Sequence, residues 1–257
     1  MNIIVISNRK GGCGKTTTAT AMFSYLGSVS GKRVLLVDAD SQANASYALG
    51  ADIEQPGLYD VLTGKIAVRE ALQLYQGKEG MYLLSGSASL ANIENGIDSV
   101  AVNLKQELNA LDDIVDYIII DTAPALGTLT VLALSAADSV VIPMAADVFN
   151  LQGLGGMYEL VQAVQNPAVK IEGILLTRFK ERLVINRQMR EMIEETAEAI
   201  GTKVFKTKIR EGVTISEAMA RQVGLFDYDD KMISNVAYDY EKFLKELGLK
   251  NWGLHDG

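Results

Sequence analysis

The sequence predicts an α/β fold: an open, mostly parallel, twisted sheet with helices on both faces. Three observations point there. Short, continuous Ile/Val/Leu runs recur along the chain, as expected of strands buried on both faces. Stretches of helical periodicity separate them. The first strand runs straight into a glycine-rich turn and then a helix start, MNIIVISNRKGGCGKTTTA. In such sheets ligands sit at the carboxyl ends of the strands.

Taken in order, Ile3 to Ile6 is the first strand. Ala19, Met22, Phe23 and Leu26 follow at i, i+3, i+4 and i+7, predicting a helix with one apolar face. Val34 to Val37, Met81 to Leu84, Tyr117 to Ile120, Val140 to Ile142 and Ile171 to Leu176 read as further strands. Helices are expected over Val102 to Leu111, Leu151 to Val164 and Ile185 to Ile200. A last helix is marked by Val236, Tyr240, Phe243, Leu244 and Leu247. No repeat, low-complexity tract or Pro/Gly/Ser linker interrupts the 257 residues, so one domain spanning 1–257 is expected.

Composition excludes several classes. With one cysteine, Cys13, no intrachain disulfide and no multi-cysteine metal site can form. The one histidine, His255, lies at the far end, which argues against a His-based metal site or a core Ser–His–Asp triad. No apolar run approaches the ~20 residues of a membrane span, and the start lacks signal-peptide features. A cytoplasmic location is expected. The net charge is −8, against a generally basic nucleic-acid coat. Basic residues are nonetheless concentrated locally: Lys170 to Arg221 holds 11 Lys+Arg against 8 Asp+Glu.

The turn after the first strand is a phosphate cradle. Glycines let the backbone aim several N–H groups inward, and the helix start adds partial positive charge. Gly11, Gly12, Cys13, Gly14, Lys15, Thr16 and Thr17 are its residues. Lys15 is placed to reach the β- and γ-phosphates, the Thr16 hydroxyl to take a site on Mg²⁺, and Thr17 to meet the α-phosphate. The usual motif has a glycine five residues before Gly14; here that residue is Arg9. Cys13 reads better as a small apolar filler than as an activated thiol. Two acidic loops complete the set. Strand two ends in Asp38 and Asp40, followed by Gln42 and Asn44; DYIIIDTAP ends an apolar strand in Asp121, a carboxylate suited to Mg²⁺.

KGGxGK[ST], present as Lys10 to Thr16, together with the acidic loops resembles the ParA/MinD family of deviant Walker A P-loop ATPases. GILLTRF, KVFKT and ISEAM match downstream in order, so the resemblance covers nearly the whole chain and is closest to short ParA/Soj-type proteins without an N-terminal helix-turn-helix domain. It implies a slow, Mg²⁺-dependent ATPase that dimerises around ATP. By this resemblance Lys10 crosses to the partner's nucleotide and acts in trans, Asp40 aligns the attacking water, and Asp38 supports the metal shell and Lys15. In the family's DxDPQGN pattern, Ser41 and Ala43 here replace proline and glycine. Pro124 and Gly127 fit its D-T-x-P switch loop. Thr177, Arg178, Ile209 and Arg210 align with segments that approach the base.

The same resemblance implies ATP-dependent, non-specific DNA binding in the nucleoid, with a ParB-like centromere-binding protein as partner. Arg182, Arg187, Arg190, Lys206, Lys208 and Arg221 are the DNA candidates, although Ile209 to Thr214 departs from the relatives' I-P-R-N-V-R. The cargo expected is a plasmid, a mobile element or a chromosome. The alternative is a MinD-like, membrane-associated positioning ATPase. Its amphipathic terminal helix is matched here by a stripe that includes Phe243, Leu247 and Trp252. Val236 to Gly257 carries 3 Lys against 4 acids, whereas anionic lipid favours a basic polar face. Packing of that stripe on the sheet is therefore expected.

Overall fold

The computed structural model describes residues 1–249. Trp252 and His255 lie outside the described residues. Seven strands form one sheet in the order β3-β4-β2-β5-β1-β6-β7. They are β1 Asn2–Ile6, β2 Val34–Ala39, β3 Gln73–Leu74, β4 Met81–Leu84, β5 Tyr117–Thr122, β6 Ser139–Ala145 and β7 Lys170–Thr177. All pairings are parallel except β3 with β4. The six parallel strands match the apolar runs. β3, two residues long at the antiparallel edge, carries no such signal.

Side chains alternate between two cores. Ile3 and Val5 face one, Ile4 and Ile6 the other; Leu35 and Val37 oppose Val34 and Leu36 in the same way. On the first face lie α3 Leu58–Leu62, α4 Leu90–Glu94, α5 Leu104–Asn109, α6 Thr128–Ala136, α7 Val148–Ala163 and α8 Val184–Ala199. On the second lie α1 Lys15–Ser24, α2 Asn44–Ala48, α9 Thr214–Ala220, α10 Leu225–Tyr228 and α11 Asn235–Glu246. No helix among the described residues is long and apolar enough to cross a membrane.

One expectation fails. α1 does not have a single apolar face: Lys15, Thr18, Ala19, Thr20, Ala21, Met22, Phe23 and Ser24 are all buried. It is sandwiched between the sheet and α2, α10 and α11, so Thr18, Thr20 and Ser24 face protein. They are satisfied locally. Thr20 Oγ1 donates to Thr16 O at 2.9 Å, Ser24 Oγ to Thr20 O at 3.0 Å, and Thr18 Oγ1 meets Tyr240 Oη at 3.1 Å. The stripe of α11 does pack inward: Val236, Tyr240, Phe243 and Leu244 are buried in the second core, with Leu247 partly so.

Candidate nucleotide site

Strand register sets the site. β5 lies between β1 and β2, so Asp121 is aligned with Ile6 on one side and Asp38 on the other. The turn from β1 to α1 and both acidic strand ends therefore meet at one carboxyl edge. The turn is tied down from several sides. Asn8, buried, donates through Nδ2 to Pro143 O at 2.7 Å and accepts the Lys10 amide at 3.1 Å. Thr177 Oγ1 donates to Cys13 O at 2.8 Å. Gly14 caps α1 in the left-handed region at φ 86°, which favours glycine, and no acidic side chain occupies the first turn to compete for its amides.

The two lysines of the turn diverge. Lys15 is buried and its Nζ donates to Lys10 O at 3.1 Å, while the Lys10 residue lies exposed. Cys13 is 1% exposed, and its Sγ donates to the same carbonyl at 3.1 Å. Burial pushes its thiol pKa up, outweighing Lys15. It is a filler, not an activated nucleophile.

The acidic loops form a connected set. Thr16 Oγ1 donates to Asp121 Oδ2 at 2.7 Å, and Asp121 Oδ1, fully buried, has no partner. Burial first, then the Asp38 charge beside it, hold the Asp121 carboxyl well above the usual range. Asp38 is raised to about 6, chiefly by burial, against the pull of its hydrogen bonds. Its Oδ2 accepts both the amide and the hydroxyl of Ser46 at 2.7 Å, and its Oδ1 the Asp40 amide at 3.2 Å. Asp40 is 6% exposed, and its Oδ1 takes the Gln42 amide at 2.9 Å. Ala43 stands at φ 50°, keeping the left-handed turn of the glycine it replaces at a cost of roughly 1 kcal/mol.

A cleft of about 950 Å³ opens along this edge. Gly11, Gly12, Gly14, Lys15, Thr16 and Thr17 line one end, with Asp40 and Pro124 beside them. Thr177, Arg178, Ile209 and Arg210 line it farther on, as aligned from sequence. Ile209 is 2% exposed, so its side chain serves mainly the core. Arg210 is committed to Asp239, with Nη2 to Oδ1 at 2.6 Å. Arg178, at φ 50°, is held by Glu211 at 2.9 Å, which also takes Lys180 at 2.9 Å.

The DNA candidates are brought together only in part. The segment from Lys203 to Ile209 runs along the β7 edge through Ile174, Leu176 and Phe179. Lys206 and Lys208 lie on that segment, Arg187 and Arg190 on α8, and Arg182 in the loop between β7 and α8. Lys208 is paired with Glu181 at 3.2 Å and Arg190 with Glu194 at 2.6 Å. Arg221 stands apart: it follows α9, which packs on α2 and α10 in the other layer, and it stacks on Tyr228 at 5.2 Å.

Sequence reasoning missed Ser46, Gly86, Asp239 and Tyr240. Ser46 holds Asp38, the Gly86 amide donates to Ser46 Oγ, Asp239 holds Arg210, and Tyr240 lines the cleft. Ser46 acts on a residue eight positions back through the fold of its loop, and the others across longer separations, for which no local pattern exists.

The donor set fits a magnesium nucleotide. An inward ammonium and glycine-turn amides suit phosphate; a hydroxyl and a buried carboxylate oxygen without a partner suit a hard divalent cation completed by phosphate oxygens. Residues 1–172 match the AAA domain family model. The sporulation initiation inhibitor protein Soj of Bacillus subtilis is 40% identical over 95% of this chain and 97% of its own length. The chromosome partitioning protein ParA of Caulobacter vibrioides is 33% identical over 93% and 91%. Cobyrinic acid a,c-diamide synthase from Mycobacterium smegmatis, solved with an ATP analogue and magnesium, superposes with a TM-score of 0.80 at 28% identity, covering 95% of this chain and 93% of its own. Motif, fold and relatives agree: the chain belongs to the ParA/MinD family of P-loop ATPases and is an ATP- and Mg²⁺-dependent ATPase.

Proposed function

We propose that this protein is a DNA-partition ATPase: a single P-loop domain that dimerises around ATP, binds DNA non-specifically as the dimer and hydrolyses ATP slowly. The observation that carries the reading is the division of labour between two lysines five residues apart. Lys15 is turned inward under the turn, whereas Lys10 stands on its outer side. The inward lysine suits its own chain's phosphates. The outer one suits phosphates held by a second copy.

In this reading Gly11 to Thr17 bind the phosphates, Lys15 balances their charge, and Asp40 orients water at the γ-phosphate. Thr16 and Asp121 hold Mg²⁺, with Asp38 behind them. When bound, the ion neutralises charge that spreads over the transferring phosphoryl group. Asp38, tied by Ser46, keeps the strand-two loop fixed beneath Asp40. Cargo specificity is assigned to a ParB-like centromere-binding protein. Relatives named as chromosome-partitioning ParA and Soj proteins support partition of DNA over other outputs, with the nucleoid as its site in this reading. Burial of the α11 stripe in the core counts against the MinD-like, membrane-bound alternative.

The test is light scattering and DNA retention with ADP and with ATP, for wild type, Lys10→Ala and Asp40→Ala. Wild type is expected to dimerise and retain DNA only with ATP. Asp40→Ala is expected to remain as an ATP dimer on DNA, and Lys10→Ala to hydrolyse poorly. A wild-type chain that stays monomeric in saturating non-hydrolysable ATP analogue refutes the reading. Liposome sedimentation without DNA retention would favour the membrane alternative.

A further inference from the structure

The residue standing where the usual motif has its first glycine is Arg9, and the nucleotide-site reading leaves it without a role. Its side chain lies against α7. A Cβ added at Gly153 would sit 4.0 Å from Arg9 Cβ, and one added at Gly156 would sit 3.9 Å from Arg9 Nη1. From the other side, Leu126 Cδ1 comes within 3.8 Å of the same Gly156 point. Leu126 belongs to the loop after Asp121, so the stem of Arg9 lies by Gly153 and its guanidinium by Gly156, a position that the switch loop also approaches. Arg9 is exposed and, among the described residues, makes no ion pair and no hydrogen bond.

A buried arginine without partners would be costly; an exposed one, laid on a smooth glycine surface, is a fork of five donors held in place. Small residues also let another backbone approach closely. The chain as a whole carries −8, so two copies repel at long range. On this face, however, Arg9 adds its charge to the positive end of α1. A copy whose cleft is filled with triphosphate presents negative charge at the corresponding place. A triphosphate bound to the other copy would add to the attraction for such a cation.

We propose that Arg9, seated on Gly153 and Gly156, donates hydrogen bonds to an oxyanion on a second copy of this chain, and so governs assembly rather than nucleotide binding within one chain. This rests on the ATP-dependent dimer proposed above. It assigns to Arg9 a role separate from that of Lys10: a bidentate grip that fixes the orientation of the two copies. The oxyanion is a phosphate of the partner's nucleotide or a carboxylate beside it.

The experiment measures the dimer dissociation constant by analytical ultracentrifugation in a non-hydrolysable ATP analogue. It is paired with the affinity of the monomer for a fluorescent ADP. Arg9→Ala is expected to weaken the dimer roughly 30-fold or more, as for truncating one member of a hydrogen-bonded charge pair, while ADP affinity changes less than about twofold. Arg9→Lys, which keeps the charge but loses the fork, is expected to recover only part of the loss. A carboxylate source would leave the loss equal with ATP and with an analogue lacking the γ-phosphate charge; a phosphate source would make it depend on that charge. Arg9→Ala dimerising as wild type, or losing ADP affinity in step with assembly, overturns the proposal. Wild type failing to dimerise at all would instead overturn the partition reading and this inference with it.

Discussion

Replacing Ser46 by alanine removes one hydroxyl and is expected to unsettle the centre of the site. Ser46 is 1% exposed. Its Oγ donates to Asp38 Oδ2 at 2.7 Å and accepts the Gly86 amide at 2.9 Å. The first is a bond to a carboxylate in a dry interior, worth about 1.5–3 kcal/mol. Losing the second leaves a buried amide unpaired, at a further ~1–3 kcal/mol. Alanine recovers roughly 0.5 kcal/mol through its better helix propensity. Asp38 keeps the Ser46 and Asp40 amides, which limits the damage. The net loss for Ser46→Ala is about 2–5 kcal/mol, read as a shift of the urea midpoint at unchanged m-value. Ser135→Ala, whose hydroxyl only back-bonds to Val131 O at 2.8 Å, is the control and should stay within about 0.5 kcal/mol of wild type. A Ser46→Ala loss below about 1 kcal/mol would refute the view that this hydroxyl is a structural junction between the strand-two loop and the end of β4.

Other expectations follow from the same geometry. The folded Asp38 pKa of about 6 lies above the unfolded value of about 3.9, so the folded protein binds more protons between them, and stability falls as pH rises through that window. Metal-free wild type should therefore gain about 1 kcal/mol more than Asp38→Asn when acidified from about pH 7 to about pH 5; equal slopes in paired denaturation series would contradict this. Gly86→Ala would bring a Cβ to 2.8 Å from Asp40 O and 2.9 Å from Asp38 O, so both loops must move. Turnover should drop on the order of 100-fold with the circular dichroism retained, and near-normal ATPase activity would speak against it. For DNA, Arg182→Ala and Arg187→Ala should each flatten the salt dependence of retention by about one unit of slope, whereas Arg221→Ala, in the opposite layer, should leave it unchanged.

What could be read without coordinates follows from how local each signal is. Strands such as Ile118 to Ile120 are apolar on both faces because both faces are covered, so their runs announce themselves. The cradle is legible because Gly14 needs its left-handed backbone and Lys15 needs its place beside it. α1 misleads for the opposite reason: burial on every side erases the contrast that periodicity depends on. The helices α2, α3 and α4 span five residues each, too few to show a repeat. The Ser46–Asp38 clasp depends on how the loop after β2 folds back, and the Gly86–Ser46 and Asp239–Arg210 contacts are tertiary, made by segments 40 and 29 residues apart. The proposed DNA surface is the least legible part, since Lys208 and Arg190 are already neutralised by Glu181 and Glu194.

The carbonyl of Lys10 receives two donors at once, the ammonium of Lys15 and the thiol of Cys13. A ligand that draws the ammonium toward itself takes the stronger of the two away. The carbonyl then keeps the thiol, and the Lys10 amide keeps its bond to Asn8. A filled cleft would thus trade one of the turn's own ties for a tie to the ligand, leaving Asn8 and Cys13 to hold the stretch that carries Lys10.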